Sequence, residues 1–299
     1  MTLDICPTTD LHVAECDCRR HRSQVPTAPG LYAGIPDTAY QRDTGSLSSS
    51  GARSIIFRSP SEFRHEQLHG RPPKTEYDEG HAAHLYVLGE GAEIEVVDAD
   101  SWQTKAAKEA RAAAYAAGKV PLLPKQDAAA RAMAKVVLEH DLAGALFGEG
   151  EAELSGWWDD AETGVRLRLR MDWYTSLRGR PVVVDYKTSK GSGPGAAAKA
   201  IGEFGYYCQH PFYTDGLQSL GVADDPAFLF VFQCKTAPYR ITVVQIEPDD
   251  VALGHDLNRM AIRTYAECLA SGVWPDDSHA IHTVSIPTFI RYRAQELLS

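Results

Sequence analysis

Residues 151–187, EAELSGWWDDAETGVRLRLRMDWYTSLRGRPVVVDYK, decide how the chain folds. Three runs, Glu151–Trp158, Val165–Tyr174 and Pro181–Lys187, are separated by Asp159–Gly164 and Ser176–Arg180, both good turn sequences. They predict three strands joined as an antiparallel meander. In the second run Val165, Leu167, Leu169 and Met171 alternate with Arg166, Arg168, Arg170 and Asp172, so Asp172 closes the polar row. The third run is apolar until Asp185-Tyr186-Lys187. Strand alternation puts Asp185 and Lys187 on one face, about 7 Å apart.

The turn at 176–180 folds the second strand back on the third, so Asp172 and Asp185 converge at one sheet end. Two carboxylates brought together at an accessible edge repel each other unless a cation lies between them. A carboxylate can hold Mg²⁺, and a neighbouring ammonium can orient or deprotonate a water. Taken alone, an Asp-x-Lys at a strand end is also what an exposed ion pair looks like, and Asp172 could equally pair with an arginine. Glu153 offers a third carboxylate on the first strand. Glu151 shares its parity, so alternation does not separate the two.

Downstream, Gly191–Gly195 opens a helix over about 196–219, on which Tyr206, Gln209 and Tyr213 share a face at i, i+3, i+7. Gln209 can bond a phosphate oxygen or an attacking water, and the tyrosines can stack on a base or pack inward. Phe228–Gln233 and Tyr239–Ile246 read as strands, and 249–271 as a long helix. Upstream, Ser48–Gly51 cap a short helix at about 52–58, and Ser59-Pro60 starts another. Ser50 and Arg53 lie where a helix N-terminus could hold a phosphate. A helix over about 78–89 carries His81 and His84, and helices follow at 101–118 and 124–142. Residues 1–27 read as a poorly ordered, cysteine-containing tail and 28–299 as a single α/β domain with helical additions.

The 299 residues, 44% apolar and 23% charged, are those of an ordinary globular protein. No run is long and apolar enough to span a membrane, and the N-terminus lacks the features of a signal peptide, which predicts a cytoplasmic location and no membrane partner. A net charge of −10 argues against non-specific coating of nucleic acid but not against an acidic enzyme with local basic patches, for which Arg19, Arg20, Arg22 and the Arg166/Arg168/Arg170 row are candidates. Cys6, Cys16 and Cys18 lie near His12 and His21, but their spacing does not match paired zinc-ligand motifs. Cys208, Cys234 and Cys268 read as buried thiols.

In order and spacing, Gly80-x-Ala82-x-His84, Glu153-Leu154-Ser155-Gly156, Arg170-x-Asp172, Val184-Asp185-Tyr186-Lys187-Thr188 and Tyr206-x-x-Gln209-x-x-x-Tyr213 resemble the RecE-type (exonuclease VIII-like) exodeoxyribonucleases of the PD-(D/E)xK superfamily. Pro29–Tyr32, Ser49–Gly51 and Ser59-Pro60 add to the resemblance, which spans about 28–290.

The resemblance implies a PD-(D/E)xK core with a central mixed β-sheet flanked by helices. It implies Mg²⁺-dependent (Mn²⁺ as substitute) digestion of one strand of linear double-stranded DNA from 5′ ends, with two ions per site, leaving 3′ single strands for recombination. It implies His84, Asp172 and Asp185 as metal ligands, with the Tyr186 carbonyl as a backbone ligand. Lys187 would polarise the attacking water, Glu153 would be a further acidic residue, and Gln209 and Tyr213 would line the site, with Tyr206 on the DNA. A ring-shaped homo-oligomer and a RecT-type annealing partner are also implied.

The chain departs from the pattern at Met171, where relatives commonly carry Pro, and at His81, where a small residue is usual. Rival readings are an end-resection or CRISPR-associated nuclease of the same superfamily, whose iron–sulfur members need a flanking cysteine set, a restriction endonuclease, and a catalytically silent DNA-binding protein on the same fold.

Overall fold

The computed structural model describes residues 25–70, 78–278 and 280–298. The first segment opens with β1 (Gly30–Tyr32), α1 (Asp37–Gln41), β2 (Leu47–Ser48), α2 (Ser49–Phe57) and α3 (Pro60–His69). Then come α4 (Asp78–Leu88), β3 (Ile94–Val96), α5 (Lys105–Ala116), β4 (Val120–Leu122), α6 (Pro124–Leu138) and α7 (Asp141–Leu146). The meander is β5 (Glu151–Asp159), β6 (Arg166–Leu177) and β7 (Arg180–Ser189). It is followed by α8 (Pro194–Phe204), α9 (Tyr206–Ser219), β8 (Ala227–Cys234), β9 (Ile241–Val244), α10 (Pro248–Ser271) and α11 (Thr288–Glu296).

The fold is mixed α/β with a central seven-stranded sheet in the order β1-β5-β6-β7-β8-β9, β2 joining on β6. β5, β6 and β7 run antiparallel as the meander requires, whereas β7 and β8 are parallel, joined by the α8–α9 crossover. β3 and β4 form a small parallel pair apart from it.

One feature of the register creates the site. β6 is flanked by β5 along most of its length, so β2 and β7 must share its other side. β7 pairs with the C-terminal half of β6 only as far as Trp173↔Val184. β2 pairs in parallel with Leu167 and Arg168 in the N-terminal half. The two strands therefore approach head-on in one lane, and the sheet is split between them at the level of Asp172. α2 starts at the end of β2, its first turn capped by the Ser48 hydroxyl, which accepts from the Gly51 N–H at 3.2 Å.

The two faces of the sheet carry different helices. Leu167, Leu169, Met171, Val183, Phe228, Phe230 and Phe232 pack with residues of α2, α3, α9 and α10. Val182, Val184, Tyr186 and Val231 pack with α4, α6 and α7. α9 holds Pro211 in its interior, so the Tyr207 carbonyl has no i+4 N–H to accept from. α10 closes on that opening: Gly254 lies so near that a Cβ there would stand 2.1 Å from the Tyr207 oxygen. Asn258 Nδ2 donates to the Cys208 carbonyl at 2.8 Å, satisfying a second loosened group.

Several expected bounds shift. The helix read over 196–219 is two, because Gly205 adopts a left-handed φ of +65° that ends α8 and starts α9. The helix at 124–142 breaks after Leu138, where His140 caps a new one. The strand expected over Tyr239–Ile246 shrinks to Ile241–Val244. The short helix placed at 52–58 begins at Ser49, so Ser50 and Arg53 sit inside it. The arginine row is not an open phosphate-binding patch. Arg168 donates to the Asp43 and Ser46 carbonyls, Arg170 to Ser155 Oγ and the Ile35 carbonyl, and Arg166 to the Pro26 and Ala28 carbonyls. These guanidiniums pin the loops around α1 to the sheet. Arg19, Arg20, Arg22 and the Cys6/Cys16/Cys18 cluster lie outside the described residues. Cys208, Cys234 and Cys268 are buried free thiols. Among the described residues no helix is long and apolar enough to cross a membrane.

Candidate metal centre

At the split, strand alternation breaks on both β5 and β6. Glu153 has φ +50°, a left-handed conformation that a non-glycine residue adopts at a cost. It separates Ala152, which packs with the α4/α6/α7 side, from Leu154, which packs on the other side. On β6 Met171 and Trp173, also two apart, pack in different clusters too. Glu153 and Asp172, between these pairs, thus stand where neither face closes, and each is half-buried. Glu151, which alternation could not distinguish from Glu153, is solvent-exposed.

α4 brings His84 to the same point. Its Nε2 lies 3.1 Å from Asp172 Oδ2 and its Nδ1 3.5 Å from Glu153 Oε1. One ligand atom from each of His84, Glu153 and Asp172 lies within 4.8 Å of the others. Asp172 also completes the broken ladder, its Oδ2 accepting from the Tyr186 N–H at 2.8 Å. That bond links the cluster to β7 and fixes the Tyr186 backbone beside it.

Asp185 and Lys187 share the parity of Val183 and so project toward α9. Asp185 is 1% exposed. Its Oδ1 contacts Lys187 Nζ, and its Oδ2 accepts from Gln209 Nε2. Among the described residues Gln209 Oε1 is buried with no hydrogen-bond partner. Lys187 Nζ lies 5.0 Å from the Tyr206 ring centroid, and Arg53 approaches the same ring at 5.4 Å. Gln209 and Tyr206 thus meet the β7 pair from one helix face, as their spacing requires. Tyr213, one turn further, is a core residue edge-to-face with Phe228 at 5.8 Å. Ser50 is exposed, its hydroxyl 3.1 Å from that of Ser48.

The electrostatics are those of a crowded anionic site. Burial, then the Asp172 carboxylate, push Glu153 up to about 7. Burial pushes Asp185 up to about 6 against the pull of Lys187. Burial opposes charge on His84, but Asp172 and Glu153 outweigh it and raise the imidazole. Asp172 is likewise buried, yet His84 and Lys187 hold it below the usual carboxylate range. Arg170, 3.6 Å from Glu153, is also engaged by Asp37 at 3.2 Å. A divalent cation fits this donor set, because an imidazole and two carboxylates converge within one ion's reach.

The motif resemblance implies His84, Asp172 and Asp185 as ligands, with Glu153 as a further acidic residue. The cluster that converges is His84, Glu153 and Asp172, and Asp185 stands beside it, engaged by Lys187 and Gln209. The left-handed Glu153 backbone is what promotes that residue, and nothing in the local sequence signals it.

The sequence matches the family model described as "PDDEXK-like domain of unknown function (DUF3799)" over residues 61–285. No curated protein matches it. Among solved structures it is similar to a Eubacterium rectale protein named "Putative exonuclease", at 13% identity and TM-score 0.57, covering 88% of this chain and 99% of that one. A second structure, SSO0001, aligns at 18% identity over 73% of this chain and 76% of its own, but at a TM-score of 0.34 it does not bear on the fold.

Proposed function

Because the chain belongs to the PDDEXK-like family DUF3799, we propose that it is a divalent-metal-dependent exodeoxyribonuclease acting on the ends of linear duplex DNA. The observation that carries this reading is the convergence of His84, Glu153 and Asp172 beside the Asp185–Lys187 pair. His84, Glu153 and Asp172 would hold the cation, with Asp185 and the Tyr186 carbonyl as further oxygen donors at the neighbouring strand end. Mg²⁺ is the expected ion, with Mn²⁺ able to replace it, since the donors are oxygens and one imidazole. When bound, such an ion supplies charge neutralisation for a phosphodiester and acidifies water.

The chain's own groups do the rest. Lys187, whose buried Asp185 partner outweighs desolvation and raises it, remains an ammonium and orients the nucleophilic water. Gln209 fixes Asp185 with its Nε2, leaving Oε1 free to accept from that water. Asp172, anchored on the Tyr186 N–H, sets the distance between the cluster and Lys187. The intact acidic and lysine set favours an enzyme over a silent DNA-binding protein on the same fold.

Polarity from 5′ ends, a ring-shaped oligomer and an annealing-protein partner of the RecT type belong to this proposal through the motif resemblance, which supports them without geometry. The test is digestion of end-labelled linear duplex with Mg²⁺, comparing 5′-phosphate, 5′-hydroxyl and circular substrates. Loss of the 5′ strand on linear DNA only, abolished by EDTA, is expected. Equal cutting of circles, or no metal-dependent cutting at all, would overturn the reading.

A further inference from the structure

A strip of alternating cations and aromatic rings leads away from Lys187 along the α2–α9 side. The Tyr206 ring is bracketed by Lys187 at 5.0 Å and Arg53 at 5.4 Å. Phe204 stands 5.6 Å from Tyr206, and Arg53 Nη1 donates to the Phe204 carbonyl at 2.9 Å. One turn along α2, Phe57 lies over Gly205, where a Cβ would come within 2.7 Å of its Cε2. The left-handed turn at Gly205 sits between Phe204 and Tyr206, with Phe57 packed against it. Tyr206 is half-buried, but Phe204 and Phe57 expose 59% and 50% of their surface.

Phe204 leans on Tyr206 and Phe57 stands edge-on to Tyr207 at 6.4 Å, yet each ring leaves half or more of its surface exposed on the side of Lys187 and Arg53. The core beneath them is already closed by Tyr206 on Phe230, centroids 5.9 Å apart. Exposed rings flanking Tyr206, which itself lies between a guanidinium and an ammonium, match a ligand with flat faces joined by anionic links. Unpaired nucleotides have that chemistry: every base offers a π-face, and stacking on aromatic side chains is tolerant of sequence. A paired duplex hides those faces, so the strip suits the frayed end of a strand and not the intact helix.

We propose that Phe204 and Phe57 form a stacking platform for the terminal bases of a DNA end, with Arg53 taking the adjoining phosphate, so that the strand is held unpaired as it reaches Lys187. This rests on the nuclease reading. In it Phe204 and Phe57 are positioning residues.

The experiment has a binding arm and a rate arm. In the first, Asp172→Asn protein, which keeps the strip but not the hydrolytic cluster, is titrated with blunt duplexes carrying 2-aminopurine in the terminal pair. A fluorescence change on binding is expected, lost in the added variants Phe204→Leu and Phe57→Leu, with affinity for ends falling roughly tenfold for each ring removed. In the second, wild-type protein and each single leucine variant digest duplexes with fully paired ends or with two mismatched terminal pairs. The variants should be slow on paired ends and recover on mismatched ones.

Unchanged 2-aminopurine signal and affinity in the leucine variants, or slowing that mismatches do not relieve, would overturn the platform. If wild-type protein with Mg²⁺ cut no DNA, the nuclease reading would fail while the binding arm still decided the platform.

Discussion

Replacing Glu153 by Gln should make the metal-free protein more stable at alkaline pH, although it removes a residue of the proposed centre. Glu153 is raised from an ordinary 4.5 to about 7, first by burial and then by Asp172. A group raised in this way binds its proton more tightly folded than unfolded. The cost of ionising it is therefore absent below about pH 4.5, grows as pH rises, and is complete above about 7. The rise corresponds to about 3 kcal/mol.

Its side chain is only 18% exposed, so solvent screening does not erase this, but Gln also loses the 3.6 Å contact with Arg170. A net gain of about 1–3 kcal/mol at pH 8 is expected, or roughly 2–6 °C in Tm. The assay is thermal and urea unfolding in EDTA from pH 4 to 9. The two proteins should match near pH 4 and diverge upward. Saturating Mn²⁺ at pH 8 should reverse the order by stabilising wild type alone. A variant less stable than wild type throughout, or a gap independent of pH, would refute the claim that Glu153 carries uncompensated charge.

Other outcomes follow from the same structure. Lys187→Ala should abolish hydrolysis while leaving Mn²⁺ affinity within a few-fold, because the lysine touches Asp185 and not the His84/Glu153/Asp172 cluster. Hydrolysis at the normal rate would remove its role. Gly254→Ala should cost about 3 kcal/mol in denaturant unfolding, since its Cβ would stand 2.1 Å from the Tyr207 oxygen and would push α10 and the Asn258 hydrogen bond off α9. Asp160 is buried, which works against its charge, yet Arg259 and Thr163 hold it down to about 2. Its stabilisation should be present above about pH 4 and lost as pH falls toward 2, so Asp160→Asn should be less stable than wild type at neutral pH and converge with it in acid unfolding.

What could be read from the sequence was local. The meander followed from alternation and two turn sequences, and the Asp185/Lys187 face followed from parity, so the sheet that carries the site was legible. Gln209 and Tyr206 were legible for the same reason, their helical spacing. Tyr213 shares that spacing but lies one turn deeper, where the core claims it. The choice between Glu151 and Glu153 was not legible, because it turns on a left-handed backbone that inverts the parity used to choose. Nor was the split sheet: β2 is two residues long, and its place beside β6 depends on partners about 120 positions away. The same distance hid the fate of Arg168 and Arg170, which read as exposed cations and are consumed by the loops around α1. Gly205 is a sequence signal for the break in the 196–219 helix, since glycine takes the left-handed φ of +65° without strain.

The central claim is that one divalent cation sits between His84, Glu153 and Asp172. Anomalous diffraction from crystals of the protein soaked in Mn²⁺ locates that ion without reference to activity. A dominant peak within coordination distance of all three side chains, about 2.0–2.3 Å, is expected. A peak held by other residues, with this triad bare at saturating Mn²⁺, would contradict it.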